Sequence, residues 1–419
     1  MKQLVYSGFF GFVLLAFLFS AGGCSSVNTQ VTVTTSETTA TAATQTQQTA
    51  LERNPMRKDK AIQWKEPALE ALVRAKLEKP DGDIMQSELD DIWGIELIGS
   101  SHIYFNGKGG YNMYRNPDTY FIDGTALAER LRNSAGILFE LGLEPEEEAE
   151  TSLKEGTYWV KGQAYSRGTI TSLSDFSNFR DVKFLNIFKN DLKDLNGLAS
   201  LEDLTTLRLV ENSIIDISAL SALENIEVLD LTSNKITDAS PLYTLETLNF
   251  LAITDNQINN IDGFSALVNL EFLRLGYNPI EALDGLASHT RLMSLRINNT
   301  QVHDVSILHS ITSLAYLTMH HTPVHDISAL HSIPSLTYLN VEHLDAEVID
   351  LARLGTMVPN LTFLEASQDK AELLNVRAIA ELKQLRFLKI LDGIRSTNIP
   401  DTEIDWLREQ LPGCAFWMR

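Results

Sequence analysis

The chain has 419 residues, with 34 Lys plus Arg against 55 Asp plus Glu and a formal net charge of −21. A hydrophobic share of 44% with 21% charged residues is typical of globular proteins, and it excludes a largely disordered chain and a multi-span membrane protein. The acidic balance excludes nucleic acid as a partner, because phosphate binding needs a basic surface, and two cysteines are too few for a disulfide-stapled scaffold.

The N-terminus has the composition of a secretory signal. Lys2 precedes an apolar run over residues 4–19, and small residues at 20–23 lead to Cys24. Small residues followed by Cys resemble a bacterial lipobox. This resemblance implies that residues 1–23 are removed and that Cys24 carries a lipid, which anchors the chain at the outer surface of a bacterial membrane. An uncleaved signal anchor with an incidental cysteine is the alternative.

Residues 24–50 are predicted to form a disordered tether. From Ser25 to Ala50 there are ten Thr, three Ser and four Gln, and Glu37 is the only charged residue. A segment with so little apolar mass cannot offset the entropy lost on ordering. The tether would hold the following domain away from the membrane.

Residues 51–93 are predicted to be a helical N-terminal cap. Pro67 stands near a helix start, and apolar residues follow at Leu69, Leu72 and Val73 with helical spacing. A second short helix is predicted near 87–93. Such a cap would cover the open edge of the first structural unit.

Residues 94–168 match no family and are predicted to be an inserted α+β segment. An aromatic-rich hairpin is predicted over 102–114, with its turn at the Asn-Gly-Lys-Gly-Gly stretch. Apolar spacing predicts a helix over 125–143, and residues 157–161 have the pattern of a strand.

Residues 169–363 are built from one repeat. Each unit contains the frame L-x-L-x-x-N-x-I, as in residues 229–236, followed by a D-I-S-x-L segment whose longer apolar period implies a short helical turn on the opposite side. Stacked units would share a continuous core. The first leucine of the frame recurs every 22 residues, at Leu185, Leu207, Leu229, Leu251, Leu273, Leu295, Leu317 and Leu339.

Two polar columns accompany the leucines. The asparagine of the frame can donate and accept hydrogen bonds, so it is predicted to satisfy backbone groups where each coil leaves its strand, and a threonine at that position would do half of this. The Asp of D-I-S is predicted to be a turn device rather than a calcium ligand. The asparagine position of the frame is occupied, in successive units, by Asn190, Asn212, Asn234, Asn256, Asn278, Thr300 and Thr322.

The 22-residue unit with its D-I-S-x-L segment resembles the internalin-type leucine-rich repeat of bacterial surface proteins. The resemblance implies an α/β fold, a horseshoe-shaped solenoid whose parallel strands line the concave face, and a concave face that binds a protein partner. Residues 364–419 are predicted to hold longer repeats, the first centred on Leu364 and the next on Leu388, and a closing helix from about Ile404. Cys414 is predicted to be a packed residue of this C-terminal cap.

The open face of the strands is predicted to carry an exposed aromatic ridge that binds the partner. Seven of the ten residues that precede the key leucines are aromatic, and cations follow within reach of the rings. Aromatic residues and Arg commonly dominate binding energy at protein interfaces. The alternative is that the rings only cover one another. The predicted contact residues are Phe250, Phe272, Arg274, Tyr277, Arg296, Tyr316, Tyr338, Phe363 and Phe387.

Histidines invite a metal hypothesis, since eight of the nine lie between His289 and His343. Several are 22 residues apart, but residues 302–310 and 324–332 are near copies, so duplication of one unit explains the pairs. We therefore predict no metal and no cofactor; His320, His321 and His343 would be the best candidates for a ligand set. No catalytic motif is present, and the chain is not predicted to be an enzyme.

The sequence thus predicts a monomeric, lipid-anchored surface protein that binds another protein through its repeats. Two alternatives stay open. One is a ligand-sensing or enzymatic role of residues 94–168, with the repeats as a scaffold, and the other is a structural protein of the cell envelope.

Overall fold

The strands of this protein are short and follow the repeat. The computed structural model describes residues 59–100, 102–106, 159–160, 163–164, 166–352, 354–368, 372–391 and 399–418. The strands are β1 Gly94–Ile98, β2 His102–Asn106, β3 Trp159–Val160, β4 Gln163–Ala164, β5 Phe184–Phe188, β6 Thr206–Arg208, β7 Val228–Asp230, β8 Phe250–Ala252, β9 Phe272–Arg274, β10 Ser294–Arg296, β11 Tyr316–Thr318, β12 Tyr338–Asn340, β13 Val348–Asp350, β14 Phe363–Glu365, β15 Glu372–Leu374, β16 Phe387–Leu391 and β17 Ala415–Met418.

Thirteen of the described strands form one sheet, in the order β17-β16-β14-β12-β11-β10-β9-β8-β7-β6-β5-β1-β2. Neighbours are parallel except β1 and β2. The key leucines lie opposite one another in this sheet, as Leu251 lies opposite Leu273, and both are fully buried. The predicted solenoid with a parallel sheet on one side and a continuous apolar core is therefore confirmed.

The side opposite the sheet is made of short 3-10 helices, as the lengthened apolar period predicts. They span Ser174–Asn178, Leu198–Ser200, Ser218–Ala222, Ser240–Thr244, Asp262–Ala266, Asp284–Leu286, Ser306–Ser310, Ser328–Ser332 and Val376–Glu381. The α-helices are α1 Pro67–Lys76, α2 Gln86–Leu89, α3 Leu354–Met357 and α4 Asp401–Gln410. Among the described residues, none of these helices has the length and apolar character that crossing a bilayer requires.

The asparagine column bonds the coils together as predicted. In Asn256 the side-chain oxygen accepts from the backbone N–H of Ile236 at 3.0 Å, and the amide nitrogen donates to the carbonyls of Leu231 and Ile253, each at 3.0 Å. Thr322 donates one bond instead, to the Met319 carbonyl at 2.6 Å. Each Asn therefore links its own coil to the preceding one, whereas the Thr bond stays within a coil.

The convex aspartates act as turn devices, also as predicted. Asp216, Asp238, Asp304 and Asp326 each accept the backbone N–H of the Ser two residues later, at 2.7–2.8 Å. For Asp216, Asp238 and Asp304 this bond is the main cause of a lowered pKa. These three carboxylates stay ionised at neutral pH and supply part of the net negative charge.

One residue per coil adopts a left-handed backbone where the chain leaves the sheet. In eight successive coils this residue is not glycine, and its φ lies between 48° and 56°. We call this set the rim column; it consists of Lys189, Glu211, Ser233, Asp255, Tyr277, Asn299, His321 and His343.

The N-terminal cap is present, and its first helix packs against β2 at the end of the sheet. Leu69 and Val73 of α1 are fully buried. Asp175 of the first coil accepts the backbone N–H groups of Lys65 and Glu66, both at 2.7 Å, just before the helix starts. Apolar packing and these hydrogen bonds fix the cap to the repeats.

The structure differs from the sequence prediction where the inserted segment begins. Gly94–Ile98 forms β1, which pairs in parallel with β5, so the segment's first residues belong to the main sheet. The strand 102–106 pairs antiparallel with β1, which precedes it in the chain. Gly99, with φ of 55°, makes the tight turn between them. Trp159–Val160 is a strand that pairs with Gln163–Ala164.

Several predictions fall outside the described residues. These are the signal segment 1–23, Cys24, the tether to residue 50, the 107–114 half of the hairpin and the helix over 125–143.

The C-terminal units are longer, as predicted, and the added residues make a second small sheet of β13 and β15. Helix α4 closes the last coil with Ile404 and Leu407 in the core. It is followed by β17, which extends the main sheet and was not predicted. Burial raises the pKa of the Cys414 thiol to about 11, so little thiolate forms at neutral pH. This agrees with a packing role for Cys414.

Candidate partner-binding face

The concave face is built by the alternation of side chains along each strand. In β12, Leu339 and Val341 are fully buried in the core, so Tyr338, Asn340 and Glu342 point to the concave side. The parallel register repeats this in every coil. The residue before each key leucine therefore forms a first column, the residue after it a second, and the residue three after it a third.

The first column is less exposed than predicted. Tyr316 stacks on Tyr338 with ring centroids 4.2 Å apart, Tyr338 on Phe363 at 4.9 Å, and Phe363 on Phe387 at 4.0 Å. Phe272 and Tyr316 retain only 3% and 8% of their exposure. The prediction of an exposed ridge is wrong for Phe272 and Tyr316, whereas Tyr338, Phe363 and Phe387 are half-buried. The distance between parallel strands is close to the stacking distance of aromatic rings, so neighbouring rings cover one another.

The cations of the second column lie beside the rings. The Arg274 guanidinium carbon is 5.3 Å from the centre of the Phe250 ring, and that of Arg296 is 5.1 Å from the centre of the Tyr316 ring. Tyr277 belongs to the rim column. The partner-binding role of these residues stays a prediction.

A cluster of buried charges occupies the second and third columns between β12 and β16. Glu342 and Glu365 retain 5% and 8% of their exposure. Lys389 places its Nζ 3.0 and 3.1 Å from the two carboxylate oxygens of Glu342, and 4.0 Å from an oxygen of Glu365. Two carboxylates thus share a single lysine, and we call Glu342, Glu365 and Lys389 the carboxylate cluster.

Neutral donors complete the surroundings of Glu365. The Tyr338 hydroxyl donates to Glu365 Oε1 at 2.6 Å, and Asn340 Nδ2 donates to Glu365 Oε2 at 3.2 Å. Burial, followed by the charge of Glu342, raises the pKa of Glu365 to about 8. Burial also raises the pKa of Tyr338. In the free protein at neutral pH, Glu365 is therefore mostly protonated.

Several buried polar atoms of the second and third columns make no hydrogen bond within the described part of the protein. These are both amide atoms of Asn298, the hydroxyl of Thr318 and the hydroxyl of Ser367. Asn298 is 1% exposed and Ser367 fully buried. Buried polar groups without a partner are uncommon and costly, and a cluster of them on one face points to a ligand.

The histidines lie at the rim of the same face. The rings of His321 and His343 stack at 4.9 Å, and His320 meets His321 edge-on at 5.5 Å. Within the residues that the structure describes, no three His, Cys, Asp or Glu side chains are grouped as a metal would require.

A cleft of about 390 Å³ lies on the flank of the solenoid, before the strands begin. Arg291 and Glu271 form an ion pair of 2.7 Å at this cleft. The hydroxyls of Ser313, Ser335 and Thr337 in its wall donate to backbone carbonyls. These three hydroxyls already have hydrogen-bond partners, whereas the polar atoms of Asn298, Thr318 and Ser367 on the concave face have none among the described residues.

Sequence reasoning missed Asn298, Thr318, Glu342, Glu365 and Ser367. The signal was available, because positions two and four residues after each aromatic residue must share its face. Glu342 and Glu365 follow Tyr338 and Phe363 at those positions, although the longer unit between them breaks the 22-residue spacing.

Known proteins show the same repeat and fold. A family model described as Leucine Rich repeats (2 copies) matches residues 202–244. The crystal structure of the internalin InlF of Listeria monocytogenes is 20% identical, with a TM-score of 0.61 over 85% of this chain and 82% of that one. A leucine-rich-repeat protein of Leptospira interrogans is 21% identical, with a TM-score of 0.51 over 60% of this chain and 71% of that one. A search of curated proteins gave no match.

Proposed function

We propose that this chain, which is an internalin-like leucine-rich-repeat protein, binds a protein partner on the concave face of its sheet. Leucine-rich-repeat scaffolds are typical of protein–protein interaction. The strongest support from this structure is a set of buried polar atoms on the concave face. These are atoms of Asn298, Thr318 and Ser367 that have no hydrogen-bond partner among the described residues, and a bound protein could satisfy them.

A bulky substitution on the concave face should abolish partner binding, while the same substitution on the opposite face should not. Thr254 is half-buried in the third column, and Thr244 is exposed in the 3-10 helix that precedes β8. Thr254→Arg places a long side chain in the path of a partner, whereas Thr244→Arg is its matched control. Crosslinking on intact cells, followed by mass spectrometry, would identify the partner captured by the wild type. The capture should be lost in Thr254→Arg and kept in Thr244→Arg.

Two outcomes of this experiment would contradict the proposed binding surface. If both variants fold, as circular dichroism would show, and crosslink the wild-type partner equally, the concave face is not the binding surface. If neither the variants nor the wild type crosslink any protein, the alternative of a structural envelope role is favoured. The alternative role of the inserted segment belongs to residues 94–168, of which the structure describes 94–100, 102–106, 159–160, 163–164 and 166–168.

We also propose that lipid at Cys24 anchors the chain at the outer face of a bacterial membrane. The apolar run and the small residues before Cys24 support this proposal. Cells fed an alkyne-tagged fatty acid should label the wild type and not a Cys24→Ser variant, which should leave the membrane fraction. Equal labelling of both would contradict the proposal.

A further inference from the structure

The carboxylate cluster carries one more negative charge than positive charge when both acids are ionised. Lys389 is the cation of this set, and its Nζ lies within 3.1 Å of both oxygens of Glu342 but 4.0 Å from Glu365. Glu365 is held by two neutral donors, Tyr338 and Asn340. These donors orient the carboxylate without balancing its charge.

The fully buried hydroxyl group of Ser367 lies next to the carboxylate cluster. Leu364 and Ala366 are fully buried in the core, so Glu365 and Ser367 alternate with them and face the concave side. The register that pairs Asn340 with Glu365 places Ser367 beside Glu342. The Ser367 hydroxyl has no hydrogen-bond partner in the described part of the chain, although the residue is 0% exposed. This observation is independent of the charges, and it indicates a missing polar group.

We infer that the carboxylate cluster and Ser367 receive the guanidinium group of an arginine side chain of the partner protein. The inference rests on the proposed function and names the chemistry of the contact. Glu365, which is mostly protonated in the free protein, releases its proton to solvent on binding, and the guanidinium then balances the charge of the second carboxylate and offers up to five N–H donors in one plane. It can donate to carboxylates on two adjacent strands, which are about 4.8 Å apart, and to a hydroxyl oxygen next to them.

The surroundings favour arginine over lysine. Lys389 already supplies an ammonium group, which acts as a point charge and satisfies Glu342. What remains is a set of acceptors spread over β12 and β14, namely Glu365, the outer side of Glu342 and Ser367. A planar fork spans such a set better than a second point charge. Since the other side of these strands is core, the remaining exposure of both acids is toward the concave face.

The test uses the purified full chain and a defined probe, a blocked hexa-arginine peptide, titrated by calorimetry at low salt. Glu365→Gln keeps one acceptor oxygen, which can still serve Tyr338, and removes the charge; it should weaken binding about tenfold or more. Glu342→Gln is the second variant, in case the first does not fold. Asp230→Asn is the matched control, because Asp230 lies in the second column of β7, and it should change binding less than about twofold.

The net charge of −21 will attract any cationic peptide, so the comparison between variants decides the result. If Glu365→Gln and Asp230→Asn weaken binding equally, the peptide binds through general charge and the inference is overturned. If hexa-lysine binds as tightly as hexa-arginine, the inference that the site is specific for a guanidinium group is overturned. The peptide requires no natural partner. A failure here therefore leaves the Thr254→Arg experiment unaffected, and the reverse also holds.

Discussion

Raising the pH from about 5 to about 9 should destabilise the wild-type protein more than a Glu365→Gln variant. The pKa of Glu365 is raised to about 8 in the folded protein, against 4.5 for a free side chain. The folded state therefore holds a proton that the unfolded chain has released across this range. The contribution of Glu365 is fully present below pH 4.5, falls as the pH rises, and is lost above pH 8.

The size of this effect follows from the shift. Each unit of pKa corresponds to about 1.4 kcal/mol, and discounting for strong coupling with Glu342 leaves a loss on the order of 2–4 kcal/mol across the range. The titratable groups that face Glu365 are Glu342, Lys389 and Tyr338. Burial and Glu342 raise its pKa, while Lys389 and the Tyr338 hydrogen bond lower it.

Urea midpoints at several pH values would measure the difference. The Glu365→Gln curve should be flatter than the wild-type curve between pH 5 and pH 9, and Asp230→Asn should run parallel to the wild type. Other groups titrate as well, including the convex aspartates at low pH, but they are common to all three proteins and cancel in the comparison. Parallel curves for the wild type and Glu365→Gln would mean that this carboxyl is already ionised near neutrality.

Replacing Asn256 with Ala should destabilise the protein by about 3 kcal/mol or more, which is more than replacing Thr322 with Ala. The Asn256 amide satisfies the Ile236 N–H and the carbonyls of Leu231 and Ile253, all buried. Removing the amide leaves these groups without a hydrogen-bond partner, and each such buried group costs about 1–3 kcal/mol of stability. Thr322 makes one such bond, so its loss should cost about 1 kcal/mol.

Asn256→Thr provides an internal check. In the Thr coils the hydroxyl bonds the carbonyl three residues earlier, as Thr300 does with Ile297 at 2.7 Å. The variant should therefore keep the bond to Ile253 and fall between the wild type and Asn256→Ala. Urea denaturation would rank the three proteins. A loss for Asn256→Ala no greater than that for Thr322→Ala would show that the link between coils adds nothing to stability.

The repeat and its internal bonds could be predicted from the sequence because they recur. Leucines every 22 residues define the core, and a single type of residue in the frame, such as Asn256, has one physical use in that position. The cap helix also follows local rules, with Pro67 at its start. Strand β1 was missed because Ile95 and Leu97 match the frame but stand 90 residues before Leu185 and Ile187, their partners in the sheet.

The candidate site was predicted only in part, because burial depends on neighbours. The sequence indicates which face Tyr316 and Phe363 occupy, but not that rings on adjacent strands cover each other. The importance of Glu342 and Glu365 arises because both lie beside Lys389, and the irregular unit between them hides this alignment in the sequence. A repeat pattern predicts columns well and predicts contacts between different columns poorly.

The rim column shows how this fold trades stability for surface chemistry. A left-handed backbone at a residue with a side chain costs roughly 1 kcal/mol, and glycine would avoid that cost. Eight coils nevertheless carry Lys, Glu, Ser, Asp, Tyr, Asn or His at this bend. The side chain at this bend differs from coil to coil, so this edge can change its chemistry one coil at a time while the sheet beside it keeps its register. Recognition and architecture can therefore evolve separately within the same 22 residues.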